Sequence, residues 1–159
     1  MRIRSIWLVV PPLLFGIIGI AYSEGVPNQK KAELVRQMVK DGEIPAACAR
    51  EEAPSKLVDI HLLDLNSDGN PEYLITGNGC ACQGARRCFQ WIYRASKRSV
   101  ERVFGPDPAD SVTAKKSATE GWRDIESTGM AGNEVCSITW KFDGKQYRED
   151  QKSFRCKAM

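Results

Sequence analysis

The chain has 159 residues, with 23 Lys and Arg against 20 Asp and Glu, one His and six Cys. This length suits a single domain and is too short for most barrel or dinucleotide-binding enzymes, while 42% hydrophobic and 27% charged residues argue against wholesale disorder. The net charge of +3 falls to +1 without Arg2 and Arg4, which leaves no electrostatic footprint for nucleic acid.

Arg2 and Arg4 form a positive start, and the 17 residues from Ile6 to Tyr22 carry no charge. Ala21-Tyr22-Ser23 then places small residues three and one positions before Glu24. The layout is that of a secretory signal peptide, residues 1–23, cleaved before Glu24. A retained membrane anchor is the rival reading. Against it stand the shortness of the run and its Pro11-Pro12, Gly16 and Gly19, since a spanning helix needs roughly 20 apolar residues. The expected location is periplasmic or secreted.

The remaining 136 residues are expected to form one globular unit, mainly β in an α+β arrangement. Residues 24–54 form its short helical start. Ala32, Val35, Met38 and Val39 recur at helical spacing, with Asn28 placed to cap the helix and Gly42 to end it. Pro45 to Glu52 suits a second short helix. Residues 55–159 read as an antiparallel β domain. Val58, Ile60 and Leu62 alternate with Leu57, Asp59 and His61, the period of a strand. Further strands are expected over Tyr73–Thr76, around Phe89, Trp91 and Tyr93, and, with a helix as the alternative, over Val100–Phe104. Gly105-Pro106-Asp107-Pro108 reads as a breaker, and Ala109 to Glu120 is polar and gives no clear period. Trp122 to Glu126 is a weak strand. Ile138, Trp140 and Phe142 alternate strongly into Asp143-Gly144, a two-residue hairpin signal. Lys145 to Arg148 returns, and a last strand is expected near Phe154.

All six cysteines, Cys48, Cys80, Cys82, Cys88, Cys136 and Cys156, follow the expected cleavage point. An even count in an exported chain points to disulfides. A thiolate metal site at Cys80-x-Cys82-x5-Cys88 is the alternative, and it lacks the paired CxxC spacing of zinc sites. The expected pairing joins Cys80 or Cys82 to Cys88, and Cys48 to Cys156, with Cys136 taking the remaining partner.

The best-defined chemistry lies between the first two strands, in Asp64-Leu65-Asn66-Ser67-Asp68-Gly69-Asn70-Pro71-Glu72. Oxygen side chains occupy loop positions one, three, five and nine, with Gly at six. Calcium takes about six to eight oxygen ligands, and alternate residues of a tight loop can turn theirs inward. Asp64, Asn66, Asp68 and Glu72 are the expected side-chain ligands, and Asn70 offers its carbonyl. The closing Glu of an EF-hand would fall at Ile75, so the loop begins like an EF-hand and ends differently. Asp64-x-Asn66-x-Asp68-Gly69-x-x-Glu72 followed by Tyr73-Leu74-Ile75 resembles the calcium loop of FG-GAP/VCBS-type repeats, in which such a loop joins adjacent antiparallel strands. The resemblance implies a calcium ion. Asn66 stands where those repeats carry an Asp. With one copy of the motif, a propeller is not implied. Gly79-Cys80-Ala81-Cys82, Trp91-Ile92-Tyr93-Arg94 and Phe142-Asp143-Gly144-Lys145-Gln146-Tyr147 extend the likeness to small exported bacterial proteins of unknown function. The expected role of the ion is structural, acting on the hairpin, with no evident position for a substrate.

Other candidates are weaker. His61 shares a strand face with Asp59 and has no second His or nucleophile beside it in sequence. Asp124 and Glu126, two apart, share a strand face and are the pair on which a glycan-acting hydrolase would rest. Arg86, Arg87, Arg94, Lys97, Arg98 and Arg102 make a loose basic stretch, which is most simply a solvated surface. Trp91, Trp122 and Trp140 can stack on sugars but read first as core. The ranking that follows places a calcium-stabilised binding or structural module of the bacterial cell envelope first. Its partner is a protein or glycan, and no catalysis is expected. An inhibitor of a periplasmic hydrolase, or a toxin-immunity-type protein, comes second, and an enzyme third.

Overall fold

A computed structural model describes residues 25–82, 88–96 and 99–158. The expected signal peptide therefore lies outside the described residues, as do Arg86, Arg87, Lys97 and Arg98. Helix α1 (Asn28–Lys40) buries Leu34, Val35 and Met38. Asn28 is its first helical residue and not its cap. Pro27 precedes it, and no side chain caps the end. Helix α2 (Ala46–Glu51) follows Pro45, and Pro54 opens a further turn, α3 (Pro54–Leu57).

Among the described residues nine strands follow, in two antiparallel sheets. The first is a meander of β1 (Val58–Leu63), β2 (Glu72–Gly77), β3 (Gln90–Ala95) and β4 (Val100–Asp107), with a 3-10 turn at Gly79–Cys82 after β2. The second is β5 (Ser111–Thr119), β6 (Trp122–Ala131), β7 (Glu134–Phe142) and β8 (Tyr147–Glu149), with β9 (Arg155–Ala158) also paired to β7. The molecule is mainly β with a small helical start, as the periodicities imply.

Three layers result. Helices α1 to α3 cover one face of the first sheet, and Leu34, Met38, Ile44 and Leu57 pack there with Val58, Ile75, Trp91 and Tyr93. The second sheet covers the other face, where Leu74, Ile92, Val103 and Phe104 meet Val112, Trp122, Ile125, Phe142 and Tyr147. Phe104 reaches across to Trp140 and Tyr147 in edge-on contacts, with ring centroids 5.1 and 6.3 Å away. Burial on both faces explains why residues 90–93 of β3 are all buried and why no polar side alternates there. Below the helices, Tyr93 donates its hydroxyl to Asp41 Oδ2 (3.0 Å) and Trp91 donates Nε1 to Glu43 Oε2 (3.0 Å). Glu43 also pairs with Arg102. The turn after α1 is thereby fastened to β3 and β4.

Several expectations are corrected. Val100–Asp107 is strand throughout, so Gly105-Pro106 does not break it. As β4 is an edge strand, the missing Pro106 N–H leaves no ladder bond unmade. Residues 111–119 are also a strand, an edge whose single buried side chain, Val112, gives no readable period. The two-residue turns lie at Glu120-Gly121 and Gly132-Asn133, between the paired Thr119 and Trp122 and the paired Ala131 and Glu134. At Asp143-Gly144 the connection has four residues, because Phe142 pairs with Tyr147 and Asp143 N–H donates to the Gln146 carbonyl. Asp143 accepts the Lys145 and Gln146 amides as well, which favours the longer loop.

The disulfides are Cys48–Cys80, Cys82–Cys88 and Cys136–Cys156, and no described cysteine is free. The short Cys82–Cys88 loop matches expectation. Cys48 does not reach Cys156. Helix α2 sets Cys48 over the 3-10 turn that carries Cys80, whereas Cys136 and Cys156 face each other directly across β7 and β9. Three disulfides mark an oxidising environment, extracellular or periplasmic.

Candidate metal and ligand-binding site

The β1–β2 connection, residues 64–71, folds by local hydrogen bonding of its short polar side chains. Asp64 Oδ1 accepts Ser67 N–H at 2.7 Å, Asn66 Oδ1 accepts Asp68 N–H at 3.0 Å, and Asp68 Oδ1 accepts Asn70 N–H at 2.7 Å. Asn66 also donates Nδ2 to Asp68 Oδ2 at 3.0 Å. The bend needs left-handed backbone, found at Ser67 (φ 58°) and at Gly69 (φ 79°), where the absence of a side chain makes it cheap.

Glu72 differs from the rest of the set. It is the first residue of β2 and only 3% exposed, and its Oε2 accepts Leu65 N–H at 2.8 Å. Burial pushes its carboxyl up to about 7, and the nearby Asp68 and Asp64 charges add to this against the Leu65 hydrogen bond. Asp68 is fully exposed and is lowered, first by the Asn70 amide. Among the described residues no Lys or Arg forms an ion pair with Asp64, Asp68 or Glu72.

Leu65 ties this loop to the second sheet. Its side chain is fully buried in the core between the sheets, its amide is held by Glu72, and its carbonyl accepts Arg123 N–H of β6 at 2.7 Å. The connection expected to act on a hairpin therefore also joins the two sheets.

Asn66, Asp68, Asn70 and Glu72 line a cleft of about 550 Å³. Its lining also includes Arg94, Ala95 and Ser96 at the end of β3, with Glu101 of β4 and Trp122 of β6. Arg94 pairs with Glu101 and lies 5.7 Å from the centre of the Trp122 ring. No position for a substrate is evident in the sequence here, and the cleft is a feature of the folded chain. It exists because the β3 end, the β1–β2 loop and the start of β6 converge, three segments far apart in sequence.

The loop offers hard oxygen donors of the kind calcium takes. Asp64, Asp68 and Glu72 do not bring three carboxylate oxygens within 4.8 Å of one another. Among the described residues the trio of His, Cys, Asp or Glu whose ligand atoms all lie within 4.8 Å of one another is Glu134, Cys136 and Cys156, and both sulfurs there are spent in a disulfide.

The other candidates do not converge. Asp59 accepts Asn78 Nδ2 at 2.7 Å, and His61 is exposed opposite Leu74. Asp124 is buried and accepts the Thr119 hydroxyl at 2.7 Å, whereas Glu126 pairs with Lys115 at 2.9 Å. Arg94 and Arg102 are each paired with a carboxylate and form no open basic surface. Trp91 and Trp122 are core residues, and Trp140 packs partly buried against the second core. Comparison with family models, with curated proteins and with solved structures finds no match to this chain.

Proposed function

We propose that this chain is an exported binding module of the cell envelope whose 64–72 loop holds one calcium ion and whose adjoining cleft holds a polar ligand, a glycan, without transforming it. The observation that carries the reading is the cleft itself, which Asn66, Asp68, Asn70 and Glu72 line together with Arg94 and Trp122. Planar amides, carboxylates and a guanidinium around a pocket of ligand size suit a hydroxyl-rich molecule, which needs many directional donors and acceptors.

The calcium part rests on the donor chemistry and on charge. Asp64, Asp68 and Glu72 bring three carboxylates into nine residues, and the likeness to FG-GAP/VCBS-type loops points the same way. Asp64, Asn66, Asp68 and Glu72 would supply side-chain oxygens and Asn70 its carbonyl. A bound ion offsets the mutual repulsion and draws the carboxylates together.

Thermal unfolding with calcium and with chelator tests the ion. At a hundredfold excess over the dissociation constant, calcium should add about 2.7 kcal/mol to stability. Asp68→Ala should lose most of that gain. Equal melting of the parent in both conditions, with no calcium uptake by calorimetry, rejects the site. For the ligand, titration with cell-wall oligosaccharides should show binding that Arg94→Ala weakens. A stoichiometric protein partner recovered from envelope extract, with no glycan binding, would favour the inhibitor reading.

A further inference from the structure

The helical layer carries a second cavity, on the side of the molecule away from the second sheet. It is a groove of about 350 Å³ between α1 and α2, with Pro54 also in its lining. On α1 it is lined by Ala32, Val35 and Val39, which recur at the spacing of one helical face. On α2 the lining is Ala46 and Ala49. The groove exists because three of these five side chains are methyl groups, which leave the space between the helices unfilled. Val35 and Cys48 are buried in the core of the helical layer, and Val39 and Ala49 pack against it, so the groove floor is continuous with that core.

Two arginines stand on this lining, Arg36 from α1 and Arg50 from α2. Both are exposed, and among the described residues neither makes an ion pair or a side-chain hydrogen bond. This contrasts with Arg94, Arg102 and Arg148, each of which is paired with a carboxylate. An apolar slot flanked by two unpartnered guanidinium groups is complementary to a molecule with an apolar body and an anionic head. Guanidinium binds carboxylate through two parallel hydrogen bonds, and its alkyl stem extends the apolar wall.

We propose that this groove binds a free fatty acid, with the acyl chain along Val35, Val39 and the alanines and the carboxylate on Arg36 and Arg50. The site is separate from the calcium loop and does not depend on it. The volume is that of a small ligand site, which suits a chain of medium length rather than a two-chain lipid.

The test is titration of the full chain with decanoate below its micellar concentration, followed by calorimetry and by methyl NMR shifts of Ala46, Ala49 and Val39. Acetate, decyl maltoside and decyltrimethylammonium serve as probes lacking the chain, the charge or the correct sign. Decanoate should bind with saturable shifts confined to the groove, and the three controls should bind at least tenfold more weakly. Arg36→Ala with Arg50→Ala should weaken decanoate at least tenfold and leave the melting temperature unchanged. Ala46→Leu fills the slot from an exposed position and should block the chain while both arginines remain. No decanoate binding overturns the proposal, even where an acidic amphipathic peptide is captured. Equal binding of decyl maltoside, or binding untouched by the arginine pair, overturns it as well.

Discussion

A carboxyl that is only 3% exposed, with no cation paired to it among the described residues, holds its proton to near neutral pH, and Glu72 is such a group. Its folded value of about 7 lies above the ordinary 4.5. Between those values the folded chain binds more protons than the unfolded chain, so stability falls as pH rises through that window. The contribution is complete below 4.5 and lost above about 7. Denaturant unfolding in chelator, across about pH 4–8, should show this decline. Glu72→Gln should flatten it. A parent curve that rises across the window would contradict the assignment to Glu72. Tyr93 gives a second residue-level test. Its hydroxyl donates to Asp41, and burial, followed by the Asp41 charge, holds the phenol neutral far above its usual range. Tyr93→Phe removes the hydrogen bond without opening a cavity and should cost about 1 kcal/mol in denaturant unfolding. The loop donors were legible in sequence, because oxygen side chains at alternate positions around a glycine are a local pattern. The burial of Glu72 was not, since it comes from a second sheet that begins at Ser111. Cleft residues Arg94 and Trp122 lie on different sheets, and no spacing along the chain relates them.

Strands buried on both faces or facing core and water were read from their periods, and two of the edge strands, β4 and β5, were the ones obscured. An edge strand tolerates proline and needs few apolar positions, so Gly105-Pro106 and the polar run 111–119 concealed regular structure. The glycine in β4 has its own reason. Gly105 has φ +90°, and a methyl group built there would lie 2.3 Å from the Gln90 carbonyl oxygen and 3.0 Å from Trp91 Cα. The β3 backbone passes too close for any side chain. Gly105→Ala should therefore force β3 and β4 apart and cost about 2 kcal/mol or more in equilibrium unfolding. Gly144→Ala is the useful contrast, because its φ of +91° is equally unfavourable but nothing lies within 4 Å. It should cost about 1 kcal/mol, by backbone strain alone.

Across the whole molecule the covalent links divide the work unevenly. Cys48–Cys80 spans 32 residues, Cys136–Cys156 spans 20 and Cys82–Cys88 spans 6. Constraint of the unfolded chain alone ranks them at about 3.7, 3.3 and 2.2 kcal/mol. Replacing both members of each pair by serine should lower stability in that order, and the loss of Cys48–Cys80 should free the helical layer first. Thiol counting on the denatured, unreduced protein should find no reactive cysteine. The cysteine count revealed the class of molecule, but the partners of Cys48, Cys136 and Cys156 depended on which elements meet, which only the three-layer packing decides. Within that packing, Leu65 has one amide and one carbonyl engaged on opposite sides, toward Glu72 of the first sheet and Arg123 of the second. The two amide protons in that relay, on Leu65 and Arg123, form a built-in readout of cooperativity. With calcium present they should exchange with deuterium only when the whole molecule opens, and at one common rate. In chelator both should accelerate together, so that the β sheets, four and five strands in separate ladders, part as a single unit when the loop lets go.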